Sequence, residues 1–332
     1  MSRIFRSDAV QVGERVVARR DFGGVHSDVI GHVLSVEPLV IRPQEVGGYP
    51  SSLDAVEIPP EQLKIIKRLS PRTVRNSDIR AVEVATAAAF PGKEHTWTSD
   101  GQWLMRAGDG VTGRSNSAVP LGPSAGFLPV PFDEIEAFYA RHDLPVCLAI
   151  PERIGKPAEK LVAAQPEAWE LEPEILVMVR DLDELPALSD VHFVIDEQPD
   201  AEWLNLYHFR DQALPPLALE YLRSHIEGTM GFGRLLSPAG ETIAITRGTL
   251  TESGNGTVWL GYSAVEVAEG WRRKGLGTAL GAHMLAWGKA QGAEKTYLQV
   301  VSHNTAGIRL YEKLGFLEQH RHRYARRLPQ VP

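Results

Sequence analysis

Short apolar runs rich in β-forming residues dominate the first 68 positions, and polar turn-forming segments separate these runs. Because such runs between turn signals are typical of strands, this part of the chain predicts a small β unit. The predicted strands cover residues 14–20, 29–36, 39–42, 53–58 and 62–67. Five short strands of this spacing predict a barrel that the fifth strand closes.

Helical and extended patterns alternate through the rest of the chain. Residues 71–182 predict one α/β unit, with helices near 76–90 and 132–142 and with four strands. Residues 190–327 repeat this order of elements: a strand, two helices, a strand pair, a long strand, a helix, a strand, a helix and final strands. The sequence therefore predicts three domains, at 1–68, 71–182 and 190–327, of which the last two are related α/β units.

Composition and charge narrow the classes of function. Hydrophobic residues make up 43% of the chain and charged residues 23%, which is ordinary for a globular protein. A net charge of −7 argues against attraction of the whole molecule to nucleic acid. The N-terminal segment has no apolar signal core, and no run of about 18 apolar residues occurs. We expect a cytoplasmic protein with no nucleic-acid or membrane partner.

Cysteine and histidine give little indication of a metal site. The single cysteine, Cys147, excludes an intramolecular disulfide and a cysteine-based zinc cluster. Its apolar surroundings predict a buried and inert thiol. His320 and His322, within the sequence HRHR, are interpreted as surface residues rather than ligands. The expectation is that the protein binds no metal.

The chemistry is expected where the extended run Val258–Val267 leads into a glycine-bearing turn. After the turn, Leu276, Leu280, Met284 and Trp287 fall at helical spacing, so a helix should begin near 273–275. Such a turn directs unpaired N–H groups and the positive end of the helix dipole at an anion, and a diphosphate is the natural ligand. The predicted contact residues are Arg272, Arg273, Lys274, Gly275, Leu276, Gly277 and Thr278.

The spacing Arg272-x-x-Gly275-x-Gly277 after a strand is the (Q/R)xxGx(G/A) pattern, whereas GxGxxG and GxxxxGK(S/T) are absent. Here the sequence resembles the GCN5-related N-acetyltransferase (GNAT) family, in which this loop binds the pyrophosphate of acetyl-CoA. A strand and the segment HNTAGIRLYEKLGF follow in the family's order, with Asn304 and Tyr311 at the family's positions. The resemblance implies a GNAT fold for 190–327 and acetyl-CoA-dependent N-acetyl transfer without a metal.

The same resemblance suggests roles for individual residues. Asn304 would lie beside the pantetheine arm, and the strand end at Val265 and Val267 would hold the pantetheine amides, with the N–H of Val267 facing the oxyanion. Tyr311 is the candidate general acid, because a phenol with a pKa of about 10 stays protonated near neutral pH. Glu266 is the candidate general base for the acceptor amine.

More than one group could be the general base, because family members often place a catalytic carboxylate nearer the start of this strand. Gly261 and Tyr262 occupy that part of the strand here. A water chain or a residue from the middle unit is therefore the alternative to Glu266.

The two preceding units also resemble known folds. The unit at 71–182 lacks a strand followed by RxxGxG, so it resembles at most a degenerate GNAT half, and the unit at 1–68 resembles an SH3-like barrel in strand count and turn spacing. Arg114, Ser115 and Asn116 either line an acceptor pocket between the halves or stabilise their own turn.

The expected acceptor is a small amine or an amino acid, and glutamate is one candidate. Binding its two carboxylates would need cations, for which Arg234, Arg247 and Arg114 are available. The alternatives are a protein or peptide acetyltransferase that recruits a polypeptide through the barrel, and a non-catalytic module that binds acetyl-CoA. A homo-oligomer is an open alternative to a monomer.

Overall fold

The structure is a computed structural model that describes residues 5, 9–209, 212, 213 and 216–329. The chain divides into two compact units. One contains residues 5–75 with 317–319, and the other contains 76–316 with the chain from 320 onward. The predicted middle and C-terminal domains thus share one compact unit, and their separation into two domains stays a prediction.

The smaller unit is an antiparallel sheet of five strands in the order β4-β3-β2-β1-β5. The strands are β1 (Arg15–Phe22), β2 (Val25–Ser35), β3 (Leu39–Pro43), β4 (Val56–Ile58) and β5 (Leu63–Arg68). Val16, Val33 and Ile41 lie in its buried core. Among the described residues no pairing joins the outer strands, so the expected closure into a barrel is not found. Pro59 and Pro60 limit β4 to three residues, which leaves few backbone groups for a closing pair.

The larger unit begins with a first half of helices and short strands. These elements are α1 (Asn76–Ala89), β6 (Glu94–Trp97), β7 (Trp103–Ala107), β8 (Ala118–Pro120), α2 (Phe132–Arg141), β9 (Cys147–Pro151), α3 (Lys156–Ala164), β10 (Trp169–Leu171) and β11 (Ile175–Asp181). The pattern predicted α1 and α2 closely, and it missed α3.

The second half of the larger unit follows the predicted order, except that a short pair of strands separates its first two helices and a single strand follows its last helix within the described chain. Its elements are β12 (His192–Asp196), α4 (Ala201–Leu206), β13 (His208–Phe209), β14 (Gln212–Ala213), α5 (Pro216–His225), β15 (Gly228–Leu236), β16 (Thr242–Glu252), β17 (Val258–Val267), α6 (Leu276–Ala290), β18 (Lys295–Val301), α7 (Thr305–Lys313) and β19 (Leu317–Arg327). No described helix is long and apolar enough to span a membrane.

Both halves contribute to one twelve-stranded sheet. The strand order is β12-β15-β16-β17-β18-β11-β19-β9-β8-β7-β6, with β10 paired to β19. Strand β11 of the first half lies between β18 and β19 of the second half, and seven residue pairs join it to β18. Because strands of the two halves alternate in the order β18-β11-β19-β9, the two halves form one continuous sheet.

The pairs β17–β18 and β8–β9 are parallel, and the other pairings described for the larger sheet are antiparallel. A helix crosses over between the strands of each parallel pair, α6 in the second half and α2 in the first. The two halves therefore repeat one strand–helix–strand arrangement.

Candidate active site

Strands β17 and β18 pair only at their beginnings and then separate. Residues 259–261 pair with 295–297, and beyond them β17 stays paired to β16 alone within the described chain. The N–H of Ala268 donates to the carbonyl oxygen of Ile243 at 2.9 Å. Since successive residues of a strand alternate in direction, the N–H of Val267 points the other way, into the gap. Donors at such an edge suit substrate amides and the oxyanion of acyl transfer.

A β-bulge at Ala264 sets which side chains of β17 face which side of the sheet. Ala264 has φ 56°, and the register between β16 and β17 shifts at this point. Ser263 bonds to Arg247 and Ala264 packs against the cluster that contains Trp203, so both lie on the same face. The bulge therefore restarts the alternation of side chains along the strand.

After the bulge, Val265 and Val267 pack into the cluster that contains Leu280 of α6. Glu266 lies between them in the chain and pairs with Ile245, which packs on the opposite face. Without the extra residue Glu266 would point toward α6. The bulge thus turns the candidate base to the face that carries Arg247.

The turn before α6 leaves the start of this helix open. Gly275 is the N-cap with φ 78° and has no side chain to cap the helix, so the first-turn N–H groups of Leu276 and Gly277 have no intrahelical acceptor. Thr278 is different, because its N–H donates to the carbonyl oxygen of Gly275 at 3.1 Å. The open turn can receive an anion.

Three exposed cations stand beside this turn. Arg272 donates from Nε to the carbonyl oxygen of Val267 at 3.0 Å, which ties the loop to the end of β17. The Nζ of Lys274 lies 4.6 Å from the ring centre of Trp271, and Arg273 has φ 63°. Cations and free N–H groups at one helix start fit the diphosphate of acetyl-CoA.

Glycine is needed at 277 for helix packing, whereas at 275 it is the positive φ that favours glycine. A Cβ on Gly277 would lie 2.6 Å from Cδ1 of Leu310, and one on Gly281 would lie 2.3 Å from Cδ1 of Leu314. Both glycines let α6 approach α7 closely. A larger residue at 277 would therefore disturb helix packing as well as any bound phosphate.

Asn304 and Tyr311 lie at the start and on the body of α7. The Oδ1 of Asn304 accepts a hydrogen bond from the N–H of Gly307 at 2.9 Å, so this residue caps the helix. The Tyr311 ring makes edge contacts with Tyr262 and Phe316. Burial raises the pKa of Tyr311 to about 12, and the nearby charge of Glu266 adds to this shift. The roles of Tyr311 as the acid and of Glu266 as the base stay predictions.

The three arginines considered for an acceptor have different surroundings. Arg234 is neutralised, because it forms ion pairs with Asp196 and Asp200. Arg114 and Arg247 instead line a small cavity together with Ser115.

Asn116 stabilises its own turn. Its Oδ1 accepts from the N–H groups of Gly108 and Gly110, and its amide donates to Thr112. Of the three residues 114–116, the first two reach the cavity.

His320 and His322 are buried rather than exposed, which corrects the interpretation of the sequence HRHR. The Nε2 of His320 and the Nδ1 of His322 lie 2.9 and 3.0 Å from Oε1 of Glu83, and all three side chains are at most 2% exposed. The error has a topological cause, since β19 runs between β11 and β9 inside the sheet. Alternate positions of this strand place both histidines on one face.

The arrangement of Glu83, His320 and His322 has the composition of a metal-ligand group, with ligand atoms within 4.8 Å of one another. The carboxylate of Glu83 is paired with the two histidines. The expectation that the protein binds no metal stays a prediction. Burial alone would raise the pKa of Glu83, but the charge of His322 and the hydrogen bonds from both histidines hold it well below its ordinary value.

We expect Glu83→Gln to lower the free energy of unfolding at pH 7 by about 3 kcal/mol, since one partner of a buried charged group is lost. A lowered carboxyl pKa stabilises the fold above the unfolded value of 4.5 and less as the pH falls below it. Denaturant unfolding at pH 7 and pH 4 should show a smaller difference between variant and wild type at pH 4. An equal difference at both values would contradict this assignment.

Known proteins of similar sequence are named as acetyltransferases. Residues 76–325 match the family model described as "Probable histone acetyltransferase Rv0428c C-terminal". The chain is 35% identical over 318 residues to the probable histone acetyltransferase Rv0428c of Mycobacterium tuberculosis, with 94% of each chain covered. It is 30% identical over 257 residues to the uncharacterized N-acetyltransferase YobR of Bacillus subtilis, covering 74% of this chain and 98% of that protein.

A solved structure shares the fold. The tandem GNAT protein from the clavulanic acid biosynthesis pathway aligns with a TM-score of 0.52 at 15% identity, covering 78% of this chain and 91% of that one. This chain belongs to the GCN5-related N-acetyltransferase family and is an acyltransferase.

Proposed function

We propose that this enzyme transfers the acetyl group of acetyl-CoA directly to the amine of a small molecule or an amino acid, with glutamate among the candidates. The observation that carries the proposal is the gap between β17 and β18, at whose edge Val267 lies beyond the last residue paired to β18. Tyr311 and Glu266 are the acid and the base that we propose to act there. GNAT enzymes use acetyl-CoA, and the residues around this gap fit that molecule.

In the proposed complex, the loop from Arg272 to Thr278 binds the diphosphate through first-turn N–H groups and three cations. The edge of β17 at Val265 and Val267 binds the pantetheine amides, and the amide of Asn304 lies beside the same arm. These contacts place the thioester in the strand gap, next to the N–H of Val267.

The reaction requires a neutral amine, an oxyanion site and a departing thiolate. Glu266 accepts the proton of the amine, and the N–H of Val267 stabilises the oxyanion of the tetrahedral intermediate. Tyr311 holds its proton firmly, because its pKa is about 12. Full transfer to a thiolate of pKa about 8.5 would be uphill by about 5 kcal/mol. Tyr311 therefore assists by hydrogen bonding to the departing sulfur.

Direct transfer is favoured over an acetylated enzyme. The single cysteine, Cys147, is buried in β9, and burial raises the pKa of its thiol to about 12. A protonated and inaccessible thiol is a poor nucleophile. The acetyl group passes from the thioester to the amine without a covalent intermediate at this residue.

A second candidate acceptor is a lysine side chain of a protein, because a relative is named a probable histone acetyltransferase. The cavity beside β16 carries Arg114 and Arg247, which would repel a lysine-rich segment. The two arginines therefore favour a small molecule over a lysine side chain of a protein as the acceptor. Release of CoA thiol with free amino acids, polyamines and lysine peptides separates the two candidates.

The first half of the larger unit fits a degenerate acetyltransferase half. Its parallel strands β8 and β9 flank α2, as β17 and β18 flank α6. The residue at the N-cap of α2 is Pro131, and the segment between β8 and α2 lacks the RxxGxG sequence. We propose that this half has no coenzyme loop of its own and supports the acceptor side of the active half.

Glu266→Gln is expected to lower kcat about tenfold at pH 7 and less at high pH, where more of the acceptor amine is already neutral. The acetyl-CoA dissociation constant should stay within twofold, because the side chain faces away from α6. Initial rates between pH 6 and pH 9.5 with binding measured in parallel would check this. A constant loss across that range would show that Glu266 is not the base.

A further inference from the structure

We infer that the acceptor carries an anionic group, a carboxylate or a phosphate, which binds between Arg114 and Arg247. This inference rests on the proposed function and deepens it. It concerns the small cavity that both halves of the larger unit line, with Phe90, Ser115 and Tyr207 among its other residues.

The two guanidinium groups meet at one aromatic ring. The Cζ of Arg114 lies 4.4 Å from the ring centre of Phe90, and the Cζ of Arg247 lies 5.7 Å from the same centre. Phe90 is 6% exposed and thus offers a fixed apolar surface. Two like charges on one ring repel each other unless an anion joins them.

Arg247 is a buried cation that lacks a carboxylate partner among the described residues. It is 2% exposed, and its Nε donates to the hydroxyl of Ser263 at 3.2 Å. Burial lowers the pKa of Arg247, and the positive charge of Arg114 adds to this effect. A buried charge without a counter-charge is costly, so a site that binds an anion explains it better than a packing role.

The other ionisable groups that line the cavity do not cancel the two positive charges of Arg114 and Arg247. Asp109 lines the cavity and its Oδ1 accepts a hydrogen bond from the N–H of Val111 at 3.0 Å, and its single negative charge is outnumbered by the two arginines. His225 lies at the cavity as well, with its Nδ1 2.9 Å from the hydroxyl of Ser224. Neither group forms a described ion pair with Arg114 or Arg247.

The cavity and the candidate base share one face of the sheet. A Cβ on Gly248 would meet Met284 and Trp287 of α6, so its neighbour Arg247 points to the other face. The bulge turns Glu266 to that same face. Arg247 lies two positions along β16 from Ile245, the partner of Glu266, so the two side chains are near neighbours across β16 and β17. One small acceptor can therefore place its anion at the arginines and its amine near Glu266.

The test uses acceptor pairs that differ only in the anionic group: L-lysine with L-lysinamide, L-glutamate with L-glutamine, and phosphoethanolamine with ethanolamine. We expect wild type to prefer the anionic member of at least one pair by tenfold or more in kcat/KM. Arg114→Gln should raise KM for the anionic member and bring the ratio of kcat/KM between the two members of the pair close to one. Arg247→Lys, which keeps the charge, should retain part of the preference.

Arg141→Gln is the matched control. Arg141 also stacks on a phenylalanine, with its Cζ 5.5 Å from the ring centre of Phe138, but it does not line the cavity. This variant should keep the wild-type preference.

Acetyl transfer without preference in any pair, or an equal loss for both members in Arg114→Gln, would overturn the anion site alone. No transfer to any amine would overturn the proposed function instead. If no amine is acetylated, calorimetric titration of the acceptors at saturating CoA tests the anion site separately, since CoA then occupies the loop before α6. Binding of the anionic acceptors to wild type and not to Arg114→Gln supports the site, and equal binding refutes it.

Discussion

Gly275→Asp is expected to weaken acetyl-CoA binding about 100-fold, or about 2.7 kcal/mol, with the fold intact. Gly275 has φ 78°, a conformation that aspartate and asparagine tolerate better than most residues, and a Cβ here would meet no atom within 4 Å. The new carboxylate would cap the first turn of α6 and occupy the place of the diphosphate. Calorimetric titration with CoA would measure the change.

Gly275→Asn is the matched control for this variant. Asparagine has the same size and a similar tolerance of positive φ but no charge, so we expect a loss of tenfold or less. Similar CoA affinities for the aspartate variant and wild type would show that the diphosphate binds elsewhere. Position 277 is unsuitable for this test, because a side chain there would contact Leu310.

Tyr311→Phe is expected to lower kcat by about 100-fold, because the departing sulfur loses its hydrogen-bond donor. The acetyl-CoA dissociation constant should change less than threefold, since the ring and its contacts with Tyr262 and Phe316 remain. Steady-state kinetics with a competent amine and equilibrium binding of CoA separate the two effects.

Tyr262→Phe is the control in the same aromatic cluster. The hydroxyl of Tyr262 is buried beside Thr246 and has no role in the proposed transfer, so its removal should leave kcat within about twofold. If Tyr311→Phe raised only KM for the acceptor, with kcat unchanged, Tyr311 would be a packing residue. The raised pKa of Tyr311 also predicts that no enzyme ionisation below pH 10 belongs to this phenol.

The local features of the site could be predicted from the sequence, because they depend on neighbours in the chain. The helix expected to begin near 273–275 begins at Leu276, and the strand expected to precede the loop is Val258–Val267. A glycine before a helical pattern is a local signal for an open helix start. The residues of the loop and of α7 therefore follow from spacing and from the resemblance to the family.

Other features depend on contacts between distant segments, and no local pattern contains them. The exchange of β11 between the halves puts β19 inside the sheet, which buries His320 and His322 against Glu83. The bulge at Ala264 decides the direction of Glu266, although the sequence SAVEV reads as a regular strand. The cavity joins Phe90 and Arg114 to Arg247, more than 100 residues away.

The central claim is that acetyl transfer from acetyl-CoA to an amine takes place in the gap between β17 and β18. The most direct measurement follows CoA thiol release and acetylated amine together, for wild type and Tyr311→Phe, with the amines of the acceptor pairs above. The account predicts one thiol released for each amine acetylated, and a rate that falls about 100-fold in the variant. Thiol release without an acetylated amine, or equal rates for the two proteins, would contradict it.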